Sequence, residues 1–297
     1  MKVFSWNDVA VGAESRAAAS FGLANDSNFA AASFGLASAS NFAAAVCVGG
    51  FDGAHLGHQA IFDAVFEWKK KRALAAGGQK ILAGAVTFKR SPGALKNSAY
   101  PGDIFSERQK LEFLEKRAFD FCVMIDFSED FSKIKGRNFL DKLRKFCSMQ
   151  FLAAGSDFRL GHNSDTGVAE LSDYAAQNGL ELKVLDDVLL DGKRVSSSLI
   201  RKAVLDGDFA LAKKLLGRPY CIDGSPFTWK ACSSESSLTM IANERAAQVL
   251  PKAGRHPVGV AFDGKESSAF LCAEDQFLRL EFPLGQKVQF VKEIKFQ

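Results

Sequence analysis

The chain is 297 residues long, 47% hydrophobic and 24% charged, with a formal net charge of +4, an ordinary balance for a soluble globular protein of one large domain or two. That mild basic excess suits small anionic substrates and is too small to point to a nucleic-acid partner. No run approaches the ~20 apolar residues of a membrane helix, and residues 1–20 lack a basic segment followed by an apolar run, so neither a membrane span nor a secretory leader is expected. Phenylalanine is heavy, 27 against 3 tyrosines and 3 tryptophans, which predicts a core built on it. The six cysteines, at 47, 122, 147, 221, 232 and 272, are scattered, and several fall in apolar runs. They read as reduced core residues of a cytoplasmic protein, not as a disulfide framework.

Residues 1–6 form a short segment of alternating apolar character. A tandem repeat of period 13 follows: residues 17–29 read AAASFGLANDSNF and residues 30–42 read AAASFGLASASNF, differing only at Asn25/Ser38 and Asp26/Ala39. Two copies are too few to stack as a solenoid, so a duplication carried in a surface loop is expected.

Residues 46–58, Val-Cys-Val-Gly-Gly-Phe-Asp-Gly-Ala-His-Leu-Gly-His, are the most informative stretch. Val46, Cys47 and Val48 predict a buried strand that Gly49 and Gly50 end, and Ile61, Val65 and Trp68 then recur at helical spacing. A strand, a glycine turn and a helix start gather unpaired N–H groups and the positive end of a helix dipole at one spot, which suits phosphate. His55 and His58, spaced i, i+3, are expected on one face of the first turn, where they donate hydrogen bonds and can carry charge near neutral pH. Gly57 lies between them and leaves room for an anion to approach the backbone. Phe51 and Asp52 complete the stretch. A zinc site is the weaker alternative, because a structural site takes about four ligands. Only His162 and His256 remain elsewhere, and there is no Cys-x-x-Cys pair.

Further along, residues 81–88 predict a second strand, closing on Thr87 and Phe88. Ser106 and Gln109 form a capping box opening a helix through Lys116. Strands are expected at 121–125, 150–155 and 180–185, with helices at 138–146 and 167–178, the last closed by Gly179. Strands alternating with helices in this way predict a parallel sheet covered on both faces. Residues 155–161 read Gly-Ser-Asp-Phe-Arg-Leu-Gly. Loops after parallel strands are where such sheets bind ligands, although Asp157 taken by itself reads as an ordinary turn residue. Ser196, Ser197 and Ser198 precede an apolar periodic run and predict a helix N-terminus. Arg201, four residues after Ser197, adds a guanidinium on the same face and makes a second anion clamp. Residues 208–216 predict another helix. Strands are expected at 258–262, 268–273, 277–282 and 287–293, with a turn at Asp263-Gly264.

The first of these motifs resembles that of the bacterial FAD synthetases, the bifunctional riboflavin kinase/FMN adenylyltransferases, which read Gly-Asn-Phe-Asp-Gly-Val-His-x-Gly-His; Gly50 replaces the asparagine and Ala54 the valine. Thr87, Phe88 and Pro92 match Thr-Phe-x-Pro-His-Pro, whereas the inner Pro-His is absent. Residues 155–161 are similar to Gly-x-Asp-Phe-x-Phe-Gly. Residues 196–201 are similar to Ser-Ser-Thr-x-Ile-Arg, with Ser198 for the threonine, and residues 216–220 match Leu-Gly-Arg-Pro-Tyr. The likeness covers 46–220 and is poor beyond. In 221–297 the family's glycine-rich kinase motif is reduced to Met240-Ile-Ala-Asn243, with Ile241 in place of a threonine.

The resemblance implies an α/β protein: a Rossmann-like nucleotidyltransferase domain at 1–217 and a reduced riboflavin-kinase-like β domain at 218–297. It implies FMN adenylyltransferase activity, ATP plus FMN giving FAD and pyrophosphate, without riboflavin kinase activity. His55, His58, Ser197, Ser198 and Arg201 would be catalytic. Gly49, Gly50, Phe51, Asp52, Gly57, Thr87, Asp157 and Phe158 would hold nucleotide and flavin, and Mg²⁺ would enter with ATP on groups the sequence does not single out. Small molecules are the expected partners, with no nucleic acid or membrane; the oligomeric state is open. Two alternatives remain. One is a nucleotidyltransferase of the same superfamily acting on phosphopantetheine or nicotinate mononucleotide, against which Gly-x-Asp-Phe and Leu-Gly-Arg-Pro-Tyr stand. The other is a non-catalytic flavin- or nucleotide-binding relic, suggested by Gly50 and by Lys89-Arg90-Ser91.

Deleting residues 17–29 is expected to leave the melting temperature and FAD formation nearly unchanged, since doubling a surface loop costs only ~0.6 kcal/mol. Loss of soluble protein or of turnover in the deletion would show that the repeat is packed or closes over the site.

Overall fold

The computed structural model describes residues 1–12, 42–75, 77–96, 99–233, 237–274, 277–283 and 286–296. The tandem repeat lies outside these, except for Phe42 at its end. The chain packs as two compact units interleaved in sequence. One comprises Met1–Phe51, Gly57–Pro92 and Leu111–Val188; the other comprises Asp52–Leu56, Gly93–Lys110 and Leu189–Gln297.

The first unit is built on a six-stranded sheet in the order β1-β4-β3-β2-β5-β6: β1 Lys2–Ser5, β2 Phe42–Val48, β3 Lys80–Phe88, β4 Phe121–Ile125, β5 Met149–Gly155 and β6 Glu181–Leu185. Every pairing is parallel. A parallel sheet is covered on both faces, so its central strands are apolar throughout rather than alternating. Accordingly every residue of β2 and of β4 is buried. Helices α1 Leu56–Ala75, α3 Gly136–Cys147 and α4 Val168–Asn178 belong to this α/β layering, and α2 Glu107–Lys116 runs from one unit into the other. Aromatic rings fill much of the core: Trp68 stacks on Phe151 at 5.4 Å, and Trp6 on Phe139 at 4.6 Å. Gly84 in β3 is required by this packing, because a Cβ there would lie 2.1 Å from the Phe121 ring. The alternating segment at the start of the chain proves to be a strand of the sheet, with Val3 opposite Cys122.

The strand order fixes where ligands belong. From β2 the chain steps outward through β3 to β4, whereas β5 and β6 lie on the other side of β2. The β2/β5 pair is therefore the reversal point of the sheet, and in open α/β sheets the crevice outside the carboxyl ends of such a pair is the ligand site. The 46–58 motif leaves β2, and the 155–161 motif leaves β5.

The second unit carries a seven-stranded antiparallel sheet in the order β10-β11-β14-β13-β12-β15-β9: β9 Cys221–Asp223, β10 Trp229–Ser233, β11 Ser237–Ala242, β12 Gly254–Phe262, β13 Lys265–Glu274, β14 Phe277–Pro283 and β15 Val291–Phe296. A small hairpin, β7 Leu189–Leu190 with β8 Lys193–Arg194, precedes helices α5 Ser197–Asp206 and α6 Phe209–Leu216. Strands β12 to β14 contain the stretches expected from sequence. The strand expected at 287–293 instead occupies Val291–Phe296, because pairing with β12 and β9 and stacking of Phe296 on Phe209 at 4.1 Å set its register. The packing units cut the chain differently from the functional boundary expected at 217/218, since α5, α6 and the segment 52–56 pack with the antiparallel half. Among the described residues, no helix is long and apolar enough to cross a membrane, and all six cysteines are unbridged.

Candidate active site

The turn after β2 is shaped by close contacts within the first unit. The Gly49 N–H donates to Val86 O at 3.0 Å, and a side chain at Gly49 would meet the Phe51 ring at 2.8 Å. Thr87 is fully buried, and its hydroxyl donates to Gly50 O at 2.9 Å. The Thr87 side chain thus pins the turn. Gly50 has open space where a Cβ would stand. Phe51 is buried with φ at 45°, its ring set edge-on to His58 at 5.3 Å and against Phe62 at 4.8 Å. It is a packed plug that fixes the side chain of His58, which lies with Gly57 in the first turn of α1.

At the end of β5, the Ser156 N–H donates to Leu185 O at 2.9 Å and the Phe158 N–H to Gly155 O at 3.1 Å, which folds the loop back on the sheet edge. Phe158 is buried in the hydrophobic core, while Asp157 is exposed. Ser156 Oγ donates to Asp187 at 3.0 Å.

Within the second unit, Asp52 is the centre of a buried polar network. Its carboxylate accepts from the Ile104 N–H at 3.0 Å to each oxygen and from the Phe105 N–H at 2.9 Å. The Arg201 guanidinium donates to Oδ2. The same guanidinium donates to Gly102 O at 2.9 Å and to the Tyr100 hydroxyl at 2.6 Å, and lies over the Tyr100 ring at 4.8 Å. Tyr100 in turn donates to Asp103 at 2.6 Å. Burial pushes the Asp52 carboxyl above its usual range, and the Arg201 charge with the two backbone amides works the other way. A buried carboxylate held by three donors is the arrangement in which a buried charge is tolerated.

Other donors hold the backbone around it. Ser197 Oγ donates to Asp52 O at 3.0 Å, and Ser196 caps α5 by accepting from the Leu199 N–H at 3.3 Å. Arg218 donates to Gly53 O, and to Ala54 O at 3.3 Å, with its guanidinium 4.7 Å from the Phe105 ring centre. Burial lowers its pKa to about 10, which leaves it cationic at neutral pH. Gly53 has φ at 74°, and a Cβ there would lie 2.7 Å from Ile104. His55 is buried and directly precedes α1, one residue before the helix rather than within its first turn.

Of the residues singled out from sequence, Asp52, His55, Ser197, Ser198 and Arg201 share the second unit, and Asp52, Ser197 and Arg201 are joined by hydrogen bonds. Ser198 is exposed at the start of α5. Gly49, Gly50, Phe51, Gly57, His58, Thr87, Asp157 and Phe158 lie in the first unit. Arg201, expected as an anion clamp, has its guanidinium engaged by Asp52, Tyr100 and Gly102. Tyr100, Asp103 and Arg218 were not singled out. Arg218 had a signal in Leu-Gly-Arg-Pro-Tyr; Tyr100 and Asp103 had none. Among the described residues, no three His, Cys, Asp or Glu side chains gather as a metal site.

A parallel sheet reversing at β2/β5, with glycine-containing loops leaving both strands, defines an α/β nucleotidyltransferase-like fold joined to an antiparallel β half. Residues 37–199, over half of the chain, match the family model of FAD synthetase, and the chain belongs to that family. It is 30% identical over 183 residues to the bifunctional riboflavin kinase/FMN adenylyltransferase of Buchnera aphidicola subsp. Schizaphis graminum, covering 61% of this chain and 56% of the relative. It is also 30% identical over 179 residues to the protein of that name from Escherichia coli K12, covering 60% and 55%. The chain thus matches little more than half the length of these curated relatives. Among solved structures, a Streptococcus pneumoniae protein described as a macrolide-efflux protein shares the fold, with a TM-score of 0.70 at 21% identity over 85% of this chain and 83% of the other.

Breaking the Asp52–Arg201 pair from one side is expected to cost about 3–5 kcal/mol, because the remaining group is left buried without its partner. Asp52→Ala and Arg201→Met should each show that loss in denaturant unfolding, and the double variant should lose clearly less than the sum. Strict additivity would mean that the pair is not coupled in solution.

Proposed function

We propose that the protein is an FMN adenylyltransferase, joining ATP and FMN into FAD and pyrophosphate. The observation that carries this is the span of the family match, 37–199, which takes in both loops at the sheet's reversal point and the start of α5. An oxygen of the FMN phosphate attacks the α-phosphorus of ATP, the bond to the bridging oxygen breaks, and pyrophosphate leaves with that electron pair. The nucleophile is ionised at neutral pH, so neither a strong general base nor a covalent intermediate is required. What the protein must supply is orientation and donors for developing charge. His55, His58 and Ser198 act as those donors, Ser197 holds the Asp52 carbonyl, and Arg201 holds the Asp52 carboxylate and with it the turn that carries His55. Gly49, Gly50, Phe51 and Gly57 shape the nucleotide side, with Thr87 holding the turn, while Asp157 and Phe158 form the flavin side. Mg²⁺ suits such a site because it is held chiefly by phosphate oxygens and water, with few protein ligands needed. It would neutralise charge on the phosphates of ATP.

Residues 1–217 are the adenylyltransferase domain in this reading, and 218–297 a reduced β domain without riboflavin kinase activity, in a cytoplasmic enzyme. Support comes from the sequence of 221–297, where no glycine-rich loop occurs and Ile241 stands where the family has threonine. A kinase must cradle the β- and γ-phosphates and a metal. The reaction that supplies FMN is then a phosphorylation of riboflavin by another protein. The second reading, a non-catalytic nucleotide-binding protein, is favoured by one observation, the engagement of Arg201 with Asp52.

FAD should appear when the pure protein is given FMN, ATP and Mg²⁺, and its absence would favour the second reading. His58→Ala should lower the rate at least tenfold while remaining folded, the loss of one positioned donor being worth ~2.7–4 kcal/mol. Normal turnover in that variant would make His58 structural. Riboflavin, ATP and Mg²⁺ should yield neither FMN nor FAD; either product would overturn the assignment of a kinase-free β domain.

A further inference from the structure

Residues 89–91 read Lys-Arg-Ser where the family motif has x-Pro-His, so an imidazole gives way to a lysine and an arginine in one short segment. The backbone there is fixed on both sides within the first unit. The Thr87 hydroxyl donates to Gly50 O at 2.9 Å, and the Lys89 N–H donates to Ile125 O at 2.9 Å. Arg90 therefore stands just past the carboxyl end of β3, one strand over from the glycine turn that leaves β2. Neighbouring strands lie ~4.8 Å apart, a gap that an arginine side chain spans. Gly50 brings no side chain of its own to that turn, and nothing lies within 4 Å of where its Cβ would be.

The two cations differ in what they meet. Lys89 pairs with Asp126 at 3.3 Å, which offsets its charge. Arg90 is exposed and has no hydrogen bond, ion pair or ring contact among the described residues. Arginines elsewhere are committed to protein groups: Arg201 to Asp52 and Tyr100, Arg137 to Gln177, Arg255 to Glu281. A guanidinium carries a permanent charge and a planar fork of donors that matches a phosphate group. One without a counter-charge at the carboxyl edge of a parallel sheet, beside the reversal pair, stands where anionic substrates arrive.

We propose that Arg90 is a substrate-contacting residue of the adenylyl-transfer site, its guanidinium pairing with a phosphate group of ATP or of FMN. The proposal deepens the FMN adenylyltransferase reading and rests on it.

The test compares the full-length protein with Arg90→Gln, Arg90→Lys and, as a control for the general field, Lys89→Gln. In FAD formation, kcat/KM should fall at least about tenfold in Arg90→Gln, the scale of one lost charge-assisted pair. Arg90→Lys, which keeps the charge and loses the fork, should fall less. Lys89→Gln, which breaks only an exposed pair, should change it less than about twofold. The melting temperature should be unchanged throughout, because Arg90 holds no protein group. The substrate whose KM rises more carries the contacted phosphate, and a fall confined to kcat places the contact in the transition state. Wild-type kcat/KM in Arg90→Gln overturns the proposal. So does an equal loss in Lys89→Gln, or a loss that only follows a lowered melting temperature. A wild-type protein that makes no FAD refutes the activity reading; Arg90 is then decided by calorimetric titration with ATP and with FMN. Weaker binding of either by Arg90→Gln upholds its contact with phosphate, whereas unchanged affinity, or no binding by the wild type, overturns it.

Discussion

The carboxylate of Asp52 is the interaction on which the candidate site depends. It gathers two backbone amides from residues 104 and 105 and the guanidinium of a residue 149 positions further along the chain. A buried ion pair of this kind adds little net stability over an apolar replacement, whereas losing one member is costly. Its value lies in discrimination: alternative courses for residues 52–56 or for α5 would strand a charge in the interior. The site turn thereby acquires one conformation, although Phe51, Gly53 and Ala54 all sit at positive φ.

The same turn shows how a short peptide is made into a rigid one. Its carbonyls are taken up by side chains rather than by regular structure: Gly50 by Thr87, Asp52 by Ser197, Gly53 and Ala54 by Arg218. Two of these donors come from elements with their own anchoring, a buried parallel strand for Thr87 and a capped helix for Ser197. Local strain is thus held by non-local contacts.

This explains what could and could not be read from the chain. Strands β2 to β5 were legible because strands buried on both faces are continuous apolar runs, and helix ends were legible where the capping residue is local, as in Ser106 with Gln109 at 3.1 Å and Asp208 with Leu211 at 2.9 Å. Strands β9 to β11 were not: serine-rich residues 229–242 lack alternation, and β9 and β11 pair with β15 and β14, far along the chain. The His-x-Gly-His and Ser-Ser-Ser motifs were visible as patterns of residue types. The partner of Arg201 was not, because nothing at 201 reports where a carboxylate 149 residues earlier will be. Tyr100 was hidden for the same reason, its hydroxyl and ring both committed to contacts that only the fold creates.

The antiparallel sheet also has a task independent of any chemistry of its own. The amides that hold Asp52 belong to residues 104 and 105, and that segment is fastened to the sheet half of its unit. The Asp103 N–H donates to Ala247 O and the Val249 N–H to Asp103 O, while the buried Gln248 amide donates to Ile104 O at 2.9 Å. Arg108 and Ser106 both reach Asp223, the last residue of β9. Gln248 Oε1 in turn accepts from the Asp223 N–H at 2.7 Å. Removing residues 218–297 would therefore release the segment that presents two of Asp52's three donors. The turn carrying His55 is thus held, through Asp52, by what residues 218–297 anchor.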